Sequence, residues 1–157
     1  MERTLVLFKP DALHRGLVGR ILSRFEAKGL KICGLKLMRI STELAHKHYA
    51  AHKEKPFFQG LVRYMTGSPV VALVLEGKGA VGVVRKMMGA TFGFDAEPGT
   101  IRGDFSCSTS YNLVHGSDSP EAAAREIDLF FSPEEIQEWT PGYFRLGYDP
   151  EELPGES

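Results

Sequence analysis

The chain has 157 residues, of which 43% are hydrophobic, and a formal net charge of -1 at pH 7. The length suits one ordinary domain, and the apolar fraction excludes a disordered chain. A protein that holds nucleic acid through its phosphates is usually clearly basic, so the balanced charge argues against that class. We therefore predict a single domain over residues 1–157, with residues 139–157 as a C-terminal extension, that requires no nucleic acid.

The N-terminus and the cysteines indicate where the protein resides. The apolar run from Leu5 to Phe8 stops before Pro10 and is too short for the apolar core of a signal peptide. No stretch has the length of a membrane-spanning helix. A secreted scaffold would be richer in cysteine than this chain, which has only Cys33 and Cys107. We predict two free thiols in a reducing cytoplasm and no membrane association.

In chain order, hydrophobic spacing predicts alternating strands and helices. Apolar side chains recur at helical spacing between Gly16 and Lys28, and residues 69–75 form an unbroken apolar run typical of a central strand. The glycine-rich residues 89–104 are predicted to form a long ordered loop, and residues 139–157 to be extended. Strands are predicted at 4–8, 31–40, 69–75 and 111–114, and helices at 16–28, 41–52, 57–65 and 80–88, with two more starting at 119 and 132.

Several helix ends carry their own signals. Gly29 is typical of a helix stop, and Ser41 and Ser119 are typical of helix N-caps. Pro120 stands at the first position of the helix that follows, where its missing N–H costs nothing. Ser132 and the glutamates after it form a capping box, which predicts a last short helix.

The order of these elements predicts an α/β (α+β) fold. It runs strand, helix, strand, two helices, strand, helix, loop, strand and helix. We expect a ferredoxin-like sandwich in which a four-stranded antiparallel sheet is covered by helices that pack on one face.

A glycine motif at residues 77–82 matches the dinucleotide-binding pattern G-x-G-x-x-G, between a predicted strand and a predicted helix. That reading requires a second parallel strand ending in an acidic residue that holds the ribose. The helix runs instead into Gly89 and the long loop. The alternative, which we favour, is a tight strand-to-helix turn with a glycine on a packed helix face.

Three histidines, His46, His48 and His52, fall in one predicted helix. Two of them are four residues apart and can share a face, as metal ligands do. A third ligand and the general-base glutamate of an H-E-x-x-H pattern are missing, so a metal-dependent hydrolase is the weaker reading and a solvated helix face the stronger one.

His115 stands between a short predicted strand and a helix start. A lone histidine there is more often structural than catalytic, so its neighbours decide. Glu126, on the next helix, is placed to reach back to the ring, while Arg85 and Arg102 come from the preceding helix and loop. A nucleophile near two guanidinium groups suits an anionic phosphate substrate.

Imidazole chemistry favours the same interpretation. A free imidazole has a pKa of about 6.5, so most of it is neutral and nucleophilic at pH 7. Unlike serine, it needs no strong activating base. It forms a phosphoramidate, which readily passes its phosphoryl group onward, and a carboxylate on the other ring nitrogen would hold the tautomer.

The string from Asn112 to Ser119 resembles the active-site signature N-x-x-H-G-S-D-S of the nucleoside diphosphate kinase family. Other segments are similar to that family in the same order, and together they cover residues 2–138. So many ordered motifs argue against a chance likeness. The further segments are Glu2-Arg3-Thr4, Lys9-Pro10-Asp11, His48-Tyr49, Lys55-Pro56-Phe57-Phe58, residues 85–91 and residues 98–105.

The resemblance implies an enzyme that transfers the γ-phosphate of a nucleoside triphosphate to a nucleoside diphosphate by a ping-pong mechanism, with little base selectivity. It implies that His115 is the phosphorylated nucleophile, through its δ nitrogen, and that Glu126 and Ser117 orient it. Tyr49 would support the phosphate end near Lys9. Such an enzyme maintains the pools of nucleoside triphosphates.

The same resemblance implies the binding residues and partners. Mg²⁺ would enter with the nucleotide and bridge its phosphates rather than sit in a protein cage. The protein would be a homo-oligomer, with a hexamer favoured and a tetramer possible. The implied nucleotide contacts are Arg85, Thr91, Arg102 and His52 for the phosphates, Phe57 for the base, and Lys9 and Asn112 for the ribose hydroxyls.

Two places depart from the family pattern. The family commonly has a proline-containing pair after the threonine, where this chain has Phe92-Gly93, which predicts a different and more flexible loop. The tail is longer than in many bacterial members. Its aromatic content predicts that residues 139–148 pack on the domain or on a neighbouring subunit, with residues 153–157 mobile.

An inactive relative kept as a binding module is the competing hypothesis. It should have lost the histidine or the phosphate-binding cations, and each of those positions is filled here. An RNA-binding module on this fold should carry aromatic residues on a central strand, and residues 70–75 have none. An enzyme is therefore favoured.

Overall fold

The computed structural model describes residues 1–153. Its sheet has four strands in the order β2-β3-β1-β4, and each neighbouring pair is antiparallel. The two central strands are the most buried, as the apolar run at residues 69–75 predicts. The strands are β1 (Glu2–Phe8), β2 (Lys31–Met38), β3 (Val70–Gly77) and β4 (Val114–Gly116).

Eight α-helices connect and flank these strands in the described residues. Four shorter 3-10 turns lie at Ala50–His52, Gly93–Asp95, Pro133–Glu135 and Pro150–Glu152. Within residues 1–153, none of the helices combines the length and apolarity that crossing a bilayer would need. The helices are α1 (Pro10–His14), α2 (Val18–Lys28), α3 (Thr42–His48), α4 (Phe58–Thr66), α5 (Ala80–Met88), α6 (Ile101–Phe105), α7 (Pro120–Phe130) and α8 (Phe144–Gly147).

Helices cover both faces of the sheet. Successive side chains of a strand point to opposite faces, so Val6 and Phe8 pack into one core and Leu5 and Leu7 into another. The first core contains residues of α1, α2 and α5, and the second contains residues of α3, α4 and α7. The prediction of helices on one face is therefore wrong, because a strand buried on both sides needs a cover on each.

Three predicted boundaries also change. Strand β4 begins at Val114 rather than at residue 111, because Leu113 has a φ of 70° and interrupts the extended backbone. His115 therefore lies within a strand and not after one. The predicted loop at residues 89–104 contains α6, whose N-cap Thr100 accepts a hydrogen bond from the N–H of Gly103. The tail, predicted to be extended, contains α8 and a 3-10 turn.

The predicted capping signals are confirmed, although the helix predicted at residues 41–52 ends at His48 and is followed by a separate 3-10 turn at Ala50–His52. Gly29 has a φ of 96° at the end of α2. Ser41 and Ser119 accept hydrogen bonds from the backbone N–H groups three residues later. The capping box at Ser132 is present, although the helix it starts is only a 3-10 turn.

The glycine motif at residues 77–82 forms the tight turn between β3 and α5, with Gly79 at a φ of 59°. The next strand along the chain, β4, pairs antiparallel with β1, so the dinucleotide-binding reading fails. The packed glycine lies in the strand: a Cβ on Gly77 would be 2.8 Å from Leu30, whereas Gly82 faces open space. The expectation of a packed helix glycine is wrong on this point.

The segment after Glu138 packs against the domain that precedes it. The indole N–H of Trp139 donates to the carbonyl of Ile32 at 2.9 Å, and Phe144 is buried. Leu146, by contrast, is 92% exposed. Residues 153–157 are predicted to be mobile; of these, residues 154–157 lie outside the described part of the chain. Both cysteines are free thiols, as predicted, with Cys33 buried and Cys107 exposed.

Candidate active site

His115 lies at the middle of β4, the edge strand, and a buried carboxylate holds its ring. The Nε2 atom of His115 is 2.9 Å from Oε1 of Glu126 on α7. The hydroxyl of Ser117 donates to that same oxygen at 3.1 Å and is itself fully buried. The side chain of His115 keeps 24% of its surface exposed, whereas that of Glu126 keeps 5%. The strand thus presents a ring that is anchored on one side and open on the other.

The anchoring determines the tautomer of His115. Burial opposes ionisation of Glu126, but hydrogen bonds from His115 and Ser117 outweigh it and hold the pKa of this carboxyl below its ordinary value. An ionised carboxylate only accepts hydrogen bonds, so the proton of a neutral His115 ring lies on Nε2. The lone pair on Nδ1 is then free to attack an electrophile.

Arg102 fastens the backbone on which His115 is carried. Its guanidinium is 6% exposed and donates to three carbonyl oxygens, from Nε to Asn112 at 3.1 Å, from Nη1 to Gly89 at 3.1 Å and from Nη2 to Val114 at 2.7 Å. A guanidinium has five N–H groups in a planar fork, so two remain for a ligand. Burial and the charge of Arg85 lower the pKa of Arg102 to about 10, which leaves it a cation at pH 7.

Arg85 is the second cation of this wall. It lies on the exposed side of α5, and its Nη1 donates to the carbonyl of Gly116 at 3.3 Å. Its charge helps to lower the pKa of Arg102, so the two guanidinium groups are close enough to repel each other. Two like charges held together disfavour each other and favour an anion between them.

Lys9 and Asn112 form a buried polar pair next to these cations. The ammonium of Lys9 donates to Oδ1 of Asn112 at 2.7 Å, and the amide of Asn112 donates to the carbonyl of Thr91 at 2.8 Å. Burial and the charge of Arg102 lower the pKa of Lys9 to about 8, partly offset by Asp11. The pair is therefore rigid, and most of the Lys9 groups remain charged at pH 7.

The opposite wall is formed by the end of α3 and the residues that follow it. The ring of His48 meets the ring of His115 edge-on, with centroids 4.8 Å apart. The ring centroid of Tyr49 is 4.5 Å from that of His48, and the Tyr49 hydroxyl is buried without a hydrogen-bond partner. Burial and the charge of His115 lower the pKa of His48 to about 3, so this ring is neutral.

Phe57 and His52 complete this wall at its outer end. The Phe57 ring is 52% exposed and lies 5.5 Å from the ring of His52. The Nδ1 atom of His52 is buried without a partner. Phe57 thus offers an exposed aromatic face beside an unpartnered ring nitrogen.

The structure thus brings the predicted residues into two walls. One wall is linked by hydrogen bonds. Thr91 joins it through its backbone carbonyl, which accepts from Asn112, and not through its side-chain hydroxyl. The hydroxyl of Tyr49 has no hydrogen-bond partner, so its role in supporting the phosphate end near Lys9 stays a prediction. The linked wall holds His115, Glu126, Ser117, Arg85, Arg102, Lys9, Asn112 and Thr91, and the other holds Tyr49, His52 and Phe57.

Sequence reasoning missed His48 as a neighbour of His115. The favoured interpretation placed His48 on a solvated helix face, and the weaker one made it a metal ligand with His52. The structure groups it instead with His115 and Glu126, and the ligand atoms of the three residues lie within 4.8 Å of one another. The signal was available in its position beside Tyr49, a site candidate. Leu113, Asp11 and their contacts were missed too, because backbone strain leaves no pattern in a single sequence.

Comparison with known proteins decides what this arrangement belongs to. A family model described as nucleoside diphosphate kinase matches residues 2–136. The chain therefore belongs to the nucleoside diphosphate kinase family. The nucleoside diphosphate kinase of Thermus thermophilus is 65% identical over 136 residues, which make up 87% of this chain and 99% of the relative. That of Thermosynechococcus vestitus is 56% identical over 149 residues, or 95% of this chain and 99% of the relative.

Solved structures of nucleoside diphosphate kinases share the fold. A halophilic nucleoside diphosphate kinase from Halobacterium salinarum, in complex with CDP, matches with a TM-score of 0.92 and 51% identity over 94% of this chain and 99% of that one. The Aquifex aeolicus enzyme matches with a TM-score of 0.83 and 45% identity over 87% and 99% of the two chains. The predicted α+β sandwich with a four-stranded antiparallel sheet is confirmed.

The loop in which this chain departs from the family pattern is held by close contacts. The N–H of Gly93 donates to the carbonyl of Ser108 at 3.1 Å. A Cβ on Gly93 would lie 2.4 Å from the carbonyl oxygen of Ser106, so only glycine allows this approach. Gly93 is thus required by packing. The loop that was expected to be more flexible forms a defined turn.

Proposed function

We propose that this enzyme, which transfers phosphate between nucleotides, does so through a phosphohistidine on Nδ1 of His115. The observation that carries the proposal is the chain of hydrogen bonds from Ser117 to Glu126 to Nε2 of His115. It holds the ring in the tautomer whose Nδ1 lone pair is free. Arg85 and Arg102, which bind the backbone on either side of His115, supply the cations that an incoming phosphate requires.

The reaction takes place in two matched steps. Nδ1 of His115 attacks the γ-phosphorus of a nucleoside triphosphate, a P–N bond forms, and the bond to the β-phosphate oxygen breaks. The nucleoside diphosphate leaves with that electron pair. A β-phosphate oxygen of a second nucleoside diphosphate then attacks the phosphohistidine, and the P–N bond breaks. Phosphoryl transfer of this kind depends mainly on positioning and charge stabilisation.

The two walls suggest how a nucleotide is held. Arg85 and the two remaining N–H groups of Arg102 would bind phosphate oxygens, with Thr91 and His52 assisting. Lys9 and Asn112 would bind the ribose hydroxyls, because the Lys9 ammonium has three N–H groups and gives one of them to Asn112. The exposed ring of Phe57 would stack on the base. Stacking accepts every base, which supports low base selectivity. The unpartnered hydroxyl of Tyr49 is available near the phosphate end.

Mg²⁺ belongs to this proposal as part of the substrate. The side chains that would face the phosphates are Arg85 and Arg102, which repel a resident cation but complement a metal already bound to phosphate. When bound, the ion neutralises charge on the transferred group. The residues thus fit a nucleotide that arrives with its metal, and they make no protein cage for it.

Assembly and location are also proposals. We expect a cytoplasmic homo-oligomer, a hexamer rather than a tetramer, formed from a single domain with a C-terminal extension. Leu35 and Leu37 of β2 are 52% and 68% exposed, and Phe94 is 62% exposed, which supports burial of these surfaces between copies. The mass of the protein in solution tests this expectation.

The mechanism is tested by labelling without an acceptor. Mixing the enzyme with Mg-ATP should give a covalent phosphoenzyme and a burst of ADP, with an acid-labile and alkali-stable linkage. His115→Gln should not be labelled. His46→Gln, at an exposed histidine of α3, is the matched control and should be labelled like the wild type. Normal labelling and turnover of His115→Gln would show that the phosphohistidine lies elsewhere or does not form.

A further inference from the structure

A strained turn directly precedes the strand that carries His115. Leu113 is the one residue other than glycine with a positive φ in residues 1–153, at 70°, and it is fully buried. The N–H of Val114 donates to the carbonyl of Asn112 at 2.7 Å, which closes a γ-turn around Leu113. A γ-turn with positive φ at its centre is rare and strained, more so for a bulky side chain. Such a conformation persists only where the surroundings impose it.

The central peptide groups of this turn are held by the start of α1. Oδ2 of Asp11 accepts the hydrogen bond of the Leu113 N–H at 3.1 Å. The N–H of Lys9 donates to the carbonyl of Leu113 at 2.8 Å. Arg102 holds only the carbonyls on either side, those of Asn112 and Val114. Among these contacts, the Asp11 carboxylate is the one side chain that binds Leu113 itself.

A second residue holds Asp11 in place. The hydroxyl of Tyr64, on α4, donates to Oδ1 of Asp11 at 2.7 Å and accepts the Asp11 backbone N–H at 3.0 Å. Burial and the bond to Asp11 raise the pKa of Tyr64, so its hydroxyl keeps its proton. The Tyr64 ring also stacks on the ring of Tyr111, with centroids 5.0 Å apart. Each carboxylate oxygen of Asp11 therefore already accepts a hydrogen bond from the protein.

We propose that Asp11, held by Tyr64, is a positioning residue that keeps the strained turn at Leu113 in place and thereby aligns Asn112 and His115. The inference rests on the proposed role of His115. This role follows because Asn112 and His115 flank the turn. A rotation of the Leu113 peptide would displace Asn112, the proposed ribose contact, on one side and His115, the proposed nucleophile, on the other. Arg102 would still hold the outer carbonyls, so losing Asp11 misaligns the site without detaching β4.

Four variants separate the hydrogen bond from the charge of Asp11. Asp11→Ala should lower kcat/KM roughly 10- to 100-fold, mostly through kcat, since small misplacements cost this much. Asp11→Asn keeps an oxygen for the Leu113 N–H and should recover most of the loss. Tyr64→Phe keeps both the stacking and the carboxylate charge near Lys9 and should cost about 3- to 5-fold. Asp128→Asn, an exposed aspartate of α7, is the control and should match the wild type.

The double variant and one spectrum complete the test. Because Tyr64 acts through Asp11, Asp11→Ala with Tyr64→Phe should be no slower than Asp11→Ala alone. The ¹⁵N spectrum of the His115 ring should show the Nε2–H tautomer in the wild type and a mixture in Asp11→Ala. If Asp11→Ala does not fold, Tyr64→Phe and Asp11→Asn carry the same comparison.

The outcomes distinguish the two proposals. A wild type that is not labelled at His115 overturns the proposed function. A labelled wild type, with Asp11→Ala labelled at the same rate and an unchanged ring spectrum, overturns only the role of Asp11. Loss in Asp11→Asn as deep as in Asp11→Ala would assign the effect to the charge felt by Lys9 and would also overturn it.

Discussion

The two edges of the sheet are stabilised in different ways. Edge strand β4 pairs with β1 over only three residues. Buried polar side chains add to this pairing: Arg102 donates to the carbonyl of Val114, and the hydroxyl of Ser117, directly after β4, accepts the N–H of Leu5 in β1. Edge strand β2 pairs with β3 over almost its whole length. The segment after Glu138 covers it through the buried Phe144 and one bond from Trp139.

The difference indicates what each edge tolerates. A hydrogen bond to a buried group has a narrow geometry, and a lost partner leaves an unsatisfied group that costs about 1–3 kcal/mol. Apolar packing is non-directional and spread over many atoms, so a single change has a local and graded effect. Changes at the β4 edge should therefore affect the chemistry, and changes at the β2 edge should affect stability alone.

The largest effect is expected for Arg102→Lys. A lysine ammonium is a compact donor and cannot reach three carbonyls spread along a planar fork while still facing a phosphate. We expect kcat/KM to fall roughly 10²- to 10³-fold, as for the loss of a charge-stabilising donor. Steady-state kinetics with Mg-ATP and a nucleoside diphosphate measure it. Arg24→Lys, at a partly exposed arginine bonded to the carbonyl of Gly99, is the control and should leave activity unchanged. Equal activity of both variants would remove Arg102 from the site.

Glu126→Gln should have the next largest effect. A glutamine amide can donate to Nε2 of His115, which favours the tautomer with its proton on Nδ1 and removes the nucleophilic lone pair. The rate of phosphoenzyme formation should fall on the order of 10²-fold, measured by rapid mixing with Mg-ATP. Glu121→Gln, at an exposed position of the same helix, should form phosphoenzyme at the normal rate. An unchanged rate in Glu126→Gln would show that the tautomer is set by other contacts.

Acid should weaken the fold at the β4 edge through His48. Its pKa is lowered to about 3 in the folded protein from an ordinary 6.5, so the unfolded chain binds more protons between these values. Its contribution to stability is full above about pH 6.5 and decreases toward pH 3, by at most about 1.4 kcal/mol per pH unit. The depressed pKa of Glu126 adds a loss only at lower pH, below the ordinary carboxyl value of 4.5.

Urea unfolding between pH 4 and 7 measures this effect. His48→Gln carries no titrating group and should show a smaller decrease in the free energy of unfolding over that range. His46→Gln, at an exposed histidine of the same helix, should show the wild-type decrease. Identical pH dependence in the wild type and His48→Gln would show that the buried ring does not control acid stability.

The smallest effect on chemistry is expected for truncation after Glu138. Burial of an aromatic side chain such as Phe144 contributes about 1.5–3 kcal/mol, which predicts a melting temperature lower by roughly 5–10 °C. Labelling of His115 by Mg-ATP should be unchanged. Leu146→Ala, at a residue 92% exposed, is the control and should melt like the wild type. A truncated protein with full melting temperature and unchanged mass in solution would make the segment a passive extension.

The secondary structure was largely predictable because its signals are local. The apolar run at residues 69–75 indicated a central strand, and Gly29, Ser41 and Ser119 marked helix ends that the structure confirms. These features depend on neighbours within four residues. The short elements α1, α6 and α8 were missed because five or fewer residues show too little periodicity to separate a helical turn from a loop.

For the candidate site, the sequence proposed the members but could not give their geometry. Ordered motifs named His115, Glu126 and the cations, but the partners of Arg102 are backbone carbonyls, which any sequence supplies. Leu113 is an ordinary apolar residue in the sequence, and only its φ of 70° marks it. The contacts of Asp11 with Tyr64 join positions 53 residues apart, which no local pattern connects.

The sequence by itself determined the family and the order of the strands and longer helices, and it named His115 as the candidate nucleophile, because these follow from motifs and from hydrophobic spacing along the chain. The tertiary structure alone decided that both faces of the sheet are covered, that the His115 ring is bound at Nε2, and that a strained turn precedes it. The physical reason is that these features are set by contacts between residues far apart in the chain. Such contacts exist only once the cores on the two faces of the sheet have formed.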